Sequence, residues 1–185
     1  MDKPDRKHLV YDLILFMFLI AIDQITKKLA VRYLKDDEPF DIIKNVLQLY
    51  YLPGGNRGAA FGILQGQRVF FLIITFVVVA AVFYMLIKIP PVKKFGLLRI
   101  LLIFTAAGGI GNMIDRLVLN YVIDFIYFSL INFPIFNVAD MYVSCSVVIL
   151  AILVLFRLSE DDIKELEGYI KPGKKGPAEN EIKGD

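Results

Sequence analysis

Four stretches of this chain are apolar for long enough to cross a bilayer, and the polar residues are gathered between them. They run over residues 9–25, 69–87, 97–117 and 138–158, each near the roughly 20 residues a helix needs to span the hydrocarbon layer. The second is the most uniform, with Thr75 its only residue outside the hydrophobic class. The third contains Thr105-Ala106-Ala107-Gly108-Gly109-Ile110-Gly111, small residues that let helices approach closely. The pattern predicts a mainly α membrane protein with four transmembrane helices. The first stretch follows Lys3, Arg6 and Lys7, as the core of a secretory leader would. It is too long for such a core, however, lacks a small-residue cleavage site and leads into Asp23-Gln24-Ile25-Thr26-Lys27, so it is expected to be retained.

The connections have patterns of their own. In the first loop, residues 28–68, Val46-Leu47-Gln48-Leu49-Tyr50-Tyr51-Leu52 reads as a strand, followed by a glycine-rich turn through Pro53-Gly54-Gly55-Asn56-Arg57-Gly58-Ala59-Ala60-Phe61-Gly62. The third loop, residues 118–137, is unusually apolar, with Tyr121, Phe125, Tyr127, Phe128, Phe133 and Phe136. It is expected to lie on the membrane surface or against the first loop, its aromatic rings at headgroup level, so that the two loops form a small external platform. After Arg157, Ser159-Glu160-Asp161-Asp162 has the spacing of a helix cap, which predicts a short helix to about residue 169. Beyond it Pro172-Gly173-Lys174-Lys175-Gly176-Pro177 is expected to be disordered. The chain thus divides into a leader (1–8), a four-span body (9–158) and a tail (159–185).

Charge sets the orientation. Lys88, Lys93, Lys94 and Arg99 crowd the second connection, whereas residues 115–136 hold only Arg116. Positive charge stays inside, which places the second connection in the cytoplasm, the third loop outside and both termini in the cytoplasm. Lys3, Arg6 and Lys7 at one end and Lys164, Lys171, Lys174 and Lys175 at the other agree. The first loop mixes bases with Asp36, Asp37, Glu38 and Asp41 and is external only by consistency with the rest. Hydrophobic residues are 57% of the 185 and the net charge is +2, without a concentrated basic face, so nucleic acid is not an expected partner. Cys145 is the only cysteine and reads as a packing residue; His8 is the only histidine. With so few ligands, neither a metal nor another cofactor is expected.

Within this apolar chain Asp124 and Asp140 require an explanation, because an ionised carboxylate is costly beside lipid unless it is paired, protonated or wetted. Two carboxyls held close in a poorly polar site cannot both ionise easily and share one proton, the arrangement with which an acid pair activates water. Alternatively each aspartate caps a helix or meets a base, and Asn137 can itself be an N-cap. Asn112, Asp115 and Arg116, at i, i+3 and i+4, share one face. Asn112 can orient a carboxylate and Arg116 can anchor substrate backbone or a lipid headgroup, or Asp115 and Arg116 can form a plain interfacial ion pair. Asp23 and Lys27 are spaced for an ion pair. Asn56, with Gly58 after it, sits in a loop suited either to binding an extended peptide or simply to turning the chain.

Together, Asp23-Gln24-Ile25-Thr26-Lys27, Asn56-Arg57-Gly58-Ala59-Ala60-Phe61, Gly108-Gly109-Ile110-Gly111-Asn112-Met113-Ile114-Asp115-Arg116, Val122-Ile123-Asp124-Phe125 and Phe136-Asn137-Val138-Ala139-Asp140 resemble the lipoprotein signal peptidase family, also called signal peptidase II. The resemblance covers residues 23–140 and implies an intramembrane aspartic peptidase with Asp124 and Asp140 as the catalytic pair. It implies that Asp23, Asn56, Asn112, Arg116 and Asn137 support the site or contact ligand, and Lys27, Gly58, Gly108 and Asp115, in the same blocks, join that set. It also implies a four-helix membrane body with a small extracytoplasmic β cradle, in a bacterial inner membrane with the site near the outer face. The implied substrate is a prolipoprotein carrying diacylglycerol on its cysteine, cut on the amino side of that cysteine, with membrane lipid as surroundings and globomycin as inhibitor. Two other classes fit intramembrane acids: an ion-coupled transporter, which predicts acids near the bilayer midplane and paired broken helices, and a non-catalytic assembly subunit that packs through Gly108, Gly109 and Gly111.

Overall fold

A computed structural model describes residues 7–58 and 66–170. Lys3, Arg6, the segment Ala59-Ala60-Phe61-Gly62 and the tail from Lys171, with its expected disorder, lie outside the described residues. Four long helices carry the fold: α1 (Lys7–Tyr33), α2 (Arg68–Lys88), α3 (Gly96–Val118) and α4 (Val138–Phe156). All four are long and apolar enough to span a membrane. A three-stranded antiparallel sheet stands beside them, β1 (Phe40–Ile43), β2 (Leu47–Leu49) and β3 (Ile126–Tyr127) in that order, and a last helix, α5 (Glu160–Ile170), closes the described chain. This is the expected architecture of a membrane protein, mainly α with a small β element.

The helices do not share burial equally. In α3 half of the most apolar window is buried by protein, against 11% in α1 and 17% in α2 and in α4. The third helix is therefore the hub, and the other three turn large apolar side chains outward, Phe18, Phe76, Val78 and Leu155 among them, where only lipid removes them from water. Leu98, Leu101, Leu102 and Ile103 of α3 meet Leu19 and Ile20 of α1, Val82 and Leu86 of α2 and Leu153 of α4 in one core. Towards the sheet end, small side chains bring α3 and α4 together. A Cβ on Gly108 would strike the carbonyl oxygen of Ala139 and, at 2.8 Å, the side chain of Val143.

Helix α1 continues eight residues past the expected end of its span. Packing holds its extra turns: Ala30, with Val31 behind it, lies against Tyr51, Ile123 and Phe125 of the first and third loops. The strand expected over residues 46–52 is regular only at Leu47–Leu49, yet the chain stays extended beyond it, with Tyr50 N–H donating to Phe125 O (2.9 Å) and Leu52 N–H to Asp124 O (3.0 Å). Its other partner, β1, pairs Phe40 with Leu49 and Ile43 with Leu47 across a three-residue loop containing Asn45 at φ 59°, a left-handed position that asparagine tolerates. The apolar third loop supplies β3, so it packs against the first loop, one of the two expected placements.

Arg99, counted among the charges of the second connection, lies instead in the first turn of α3 and is 4% exposed. It donates to the carbonyls of Leu86 (2.8 Å) and Ile89 at the end of α2 and pairs with Asp12 of α1. Free carbonyls at a helix end need a donor, and an arginine fork supplies it. Helix α5 begins as expected, with Ser159 and Asp162 exchanging backbone and side-chain hydrogen bonds (3.0 and 3.2 Å). It rests on the same end of the bundle through Lys94, which meets Asp162 and Glu165, and through Leu166 and Tyr169.

Candidate active site

Asp140 reaches its position because it is the third residue of α4. Asn137 caps that helix: its Oδ1 accepts from Asp140 N–H (3.0 Å) and its own N–H donates to Asp140 Oδ2 (3.1 Å), a reciprocal capping box. The capping reading of this pair, one of two left open by the spacing, is therefore what the helix start contains. The same asparagine reaches further, since its Nδ2 donates to Asp124 Oδ1 at 2.6 Å. One fully buried residue thus holds both carboxyls, one through its backbone and one through its side chain.

Asp124 lies between α3 and β3, fixed by the pairing of its neighbours with residues 50–56 and 1% exposed. Its second oxygen accepts from Asn56 Nδ2 at 2.7 Å. Asn56 is oriented in turn by Gly58, whose N–H donates to Asn56 Oδ1 at 2.9 Å. Among the described residues neither aspartate has a cation of its own: amides satisfy both, and a partly buried acid is left beside another acid. Burial foremost, and then the nearby Asp140, push the Asp124 carboxyl from 3.8 up to about 7, against the pull of Asn56, Asn137 and Lys27.

Behind the amides is a second layer. Asn112 Nδ2 donates to Asp140 Oδ1 (2.7 Å), while its Oδ1 accepts from Lys27 Nζ (2.9 Å) and Asn137 Nδ2 (3.1 Å). Two donors on one side of the amide leave only its NH₂ for Asp140, so the orientation of Asn112 is imposed. Lys27, 1% exposed, also pairs with Asp23 (2.9 Å) and Asp115 (3.0 Å), which uses all three of its protons. Asp23 Oδ1 accepts from Ala139 N–H in the first turn of α4 (3.0 Å), and Asp115 Oδ2, already paired with Lys27, also accepts from Ile123 N–H of the third loop (3.1 Å).

The Asp23–Lys27 ion pair expected from spacing is present, but Asp115 pairs with Lys27 and not with Arg116. The face shared by Asn112, Asp115 and Arg116 splits, because a buried lysine draws Asp115 towards α1. Arg116 is turned the other way, its Nη2 donating to Gly58 O (3.2 Å) and its guanidinium lying 4.7 Å from the Phe71 ring centroid. Gln24 has a place that sequence reasoning did not assign, donating to Asp23 Oδ2 (3.1 Å), Gly111 O (3.2 Å) and Asp115 Oδ1 (3.1 Å). Its signals were its position beside Asp23 and its place in the first of the five blocks.

A cavity of about 540 Å³ opens onto this array, lined by Asn56, Asn112, Arg116 and Asp140 and walled by Phe71, Phe128 and Phe136. Cys145, read as a packing residue, is exposed and lines the same cavity one turn beyond Asp140 with Ser144. The expectation fails because α4 is only lightly covered by protein, so most of its positions face outward. Among the described residues no group of three or more His, Cys, Asp or Glu side chains is placed to hold a metal.

Two neighbouring carboxyls held by amides, one of them lining a largely apolar cavity, among four helices long and apolar enough to span a membrane, describe a membrane protein with a polar site at one end of its bundle. Comparison with known proteins gives the family: residues 15–156 match the family described as Signal peptidase (SPase) II, and the chain belongs to that family of bacterial membrane proteases. It is 40% identical over 146 residues to the lipoprotein signal peptidase of Caldanaerobacter subterraneus subsp. tengcongensis, a match covering 78% of this chain and 96% of the relative. It is 46% identical over 132 residues to that of Brevibacillus brevis, covering 71% and 86%. Among solved structures it resembles a bacterial membrane enzyme determined by the in meso method at 2.3 Å resolution, with a TM-score of 0.68, 31% identity and coverage of 78% of this chain and 87% of the other. A second such structure, at 1.9 Å, gives 0.67 and 30%, covering 80% and 94%.

Proposed function

We propose that this protein is an endopeptidase that removes signal peptides from diacylglyceryl-modified prolipoproteins, cutting on the amino side of the lipidated cysteine. The observation that carries this reading is Asn137 holding Asp124 and Asp140 together, with amides rather than cations as their partners. One carboxylate takes a proton from water, and the hydroxide so formed adds to the scissile carbonyl while the other carboxyl protonates its oxygen. Collapse of the tetrahedral intermediate breaks the C–N bond, and the proton held by the base passes to the leaving amine, with no covalent enzyme intermediate. Asp23, Lys27, Asp115, Asn112 and Asn56 hold the pair in place, and Gly108 lets α4 approach α3.

The apolar cavity suits a lipidated substrate. Each buried methylene contributes about 0.8 kcal/mol, so acyl chains lying along α4 add affinity that an unlipidated peptide lacks. Arg116, cation-bearing and close to Asn56, is assigned to the polar end of the substrate. The positive charges of the second connection support cytoplasmic termini, with the site near the extracytoplasmic face of the inner membrane. Inhibition by the cyclic peptide globomycin belongs to the same reading. A transporter is disfavoured by the position of the acids, Asp140 in the first turn of α4 and Asp124 in the loop before it, rather than mid-span.

The test is to incubate the purified protein with a diacylated pro-lipoprotein and with its unlipidated twin and to weigh the products. Cleavage on the amino side of the cysteine in the lipidated substrate alone is expected. Asp124→Asn and Asp140→Asn should each lower kcat by about 10²–10⁴-fold with substrate binding retained; near-normal turnover by either variant rejects the acid-pair mechanism.

A further inference from the structure

The segment from Leu52 to Asn56 pairs at both ends with the same stretch of chain. Leu52 N–H donates to Asp124 O (3.0 Å), and Asn56 exchanges hydrogen bonds with Val122 in both directions (2.9 and 2.8 Å). Between these points the partner moves by two residues, whereas this segment moves by four. The surplus pair is taken up as a tight turn, Leu52-Pro53-Gly54-Gly55, closed by Gly55 N–H donating to Leu52 O (3.0 Å), with Pro53 and Gly54 (φ 78°) in the central positions. Gly55 (φ 68°) then returns the chain to the ladder. An even surplus keeps the faces of the strand in phase, so Asn56 points its amide at Asp124 Oδ2.

Gly55 is required there for two separate reasons. Its φ is one that L side chains adopt only under strain, and a Cβ at this position would fall within the ring of Tyr121, 2.6 Å from Cγ and 2.7 Å from Cε2. Gly54 shares the first constraint and lacks the second, since a Cβ there would have nothing within 4 Å. Tyr121 cannot easily withdraw: it directly precedes Val122, the pairing partner of Asn56, and packs against the cluster that holds the buried Tyr51. The ring is thus a stop against which the bare face of Gly55 rests.

We propose that Gly55 is a positioning residue for the cleavage reaction, its contact with the Tyr121 ring setting how closely Asn56 approaches Asp124. This rests on the peptidase reading above. A side chain at Gly55 pushes the turn off the ring and carries Asn56 away from the carboxyl, and displacements of about 1 Å at a reacting group cost up to about 100-fold in rate.

The experiment compares Gly54→Ala, Gly55→Ala and Asn56→Ala by kcat, KM and pH profile on the lipidated pro-peptide. Gly55→Ala is expected to lower kcat by about 10–100-fold with KM little changed, whereas Gly54→Ala stays within about threefold. In an Asn56→Ala background, Gly55→Ala should cost nothing further, because both act through one hydrogen bond. Equal kcat for Gly54→Ala and Gly55→Ala, or losses that multiply in the double variant, overturn the proposal. If Gly55→Ala does not fold, Gly55→Ala/Tyr121→Ala makes room for the methyl group. Its kcat should then lie within about threefold of Tyr121→Ala alone, and a further loss of about tenfold or more overturns the proposal. A readout independent of turnover separates this inference from the reading beneath it: the titration midpoint of Asp124, followed by infrared difference against Asp124→Asn. It should rise equally in Gly55→Ala and Asn56→Ala, since each removes a donor to the carboxylate. An unchanged midpoint in Gly55→Ala sinks the positioning role whether or not the wild type cleaves, and a raised midpoint in a protein that does not cleave sinks only the peptidase reading.

Discussion

Lys27 is a buried cation at the centre of the site's charged layer. It is 1% exposed and faces two carboxylates that are themselves buried. Such a cluster is weak evidence for net stability, because desolvation offsets the attraction, but removing one member leaves the others uncompensated. Lys27→Met should therefore cost about 3–5 kcal/mol, measured by unfolding in detergent, and should impair cleavage as well, since Asn112 loses the donor that orients it. Asp124 adds a pH dependence. A carboxyl raised from 3.8 to about 7 by folding stabilises the folded state fully below the lower value, and that contribution is lost as pH rises towards the upper one. Wild type should thus lose stability relative to Asp124→Asn between pH 3.8 and about 7, with no further divergence above it; parallel curves across that range contradict the raised carboxyl. Turnover should fall on the alkaline side of the same value as the acid pair loses its last proton.

Among the elements, the contact of α3 with the first turn of α4 matters most to the chemistry. Asn137 and Asp140 ride on that turn, and Gly108 sets its distance from Asn112. Gly108→Ala places a methyl group against the Ala139 carbonyl, so α4 must retreat. Overpacking of this kind costs about 1–3 kcal/mol, and here it should also lower kcat, which thermal unfolding and cleavage assays measured together will show. The expected elements survive in the structure where their signal is local. The helix after Ser159 begins at its capping box, and the four spans follow their apolar runs. Strands β1 and β3 were not legible, because strands of four and two residues have no periodicity to read and are held only by their neighbours.

For the whole molecule, one helix is enclosed by protein while three face outward, so the fold is completed by lipid rather than by a larger core. The site sits at the end of the bundle where the loops pack, and α5 sits at the opposite end, past residue 156 where the family match stops. Its contacts are those of a brace. Truncation after Leu158 should lower the unfolding temperature through loss of Leu166 and Tyr169 packing while leaving kcat/KM within about threefold. A collapse of cleavage with the fold intact would assign α5 a part in the reaction. Lys94→Ala alone should leave the unfolding temperature little changed, as expected of an exposed ion pair.

What the amino-acid order determined by itself is what can be read along one dimension: the number of the spans and their approximate places, the cap at Ser159 and the five blocks that resemble the family. Each depends on neighbours within a turn or two, or on composition. Tertiary structure alone decided the partners. Lys27 reaches Asn112 across 85 positions, Gln24 reaches Asp115 across 91, and Asp23 accepts from Ala139 across 116. Adjacency in the sequence suggests that Asp115 and Arg116 pair, but it does not say that a buried lysine on another helix competes for the acid. That choice follows from how closely α1, α3 and α4 pack, a property of three surfaces at once.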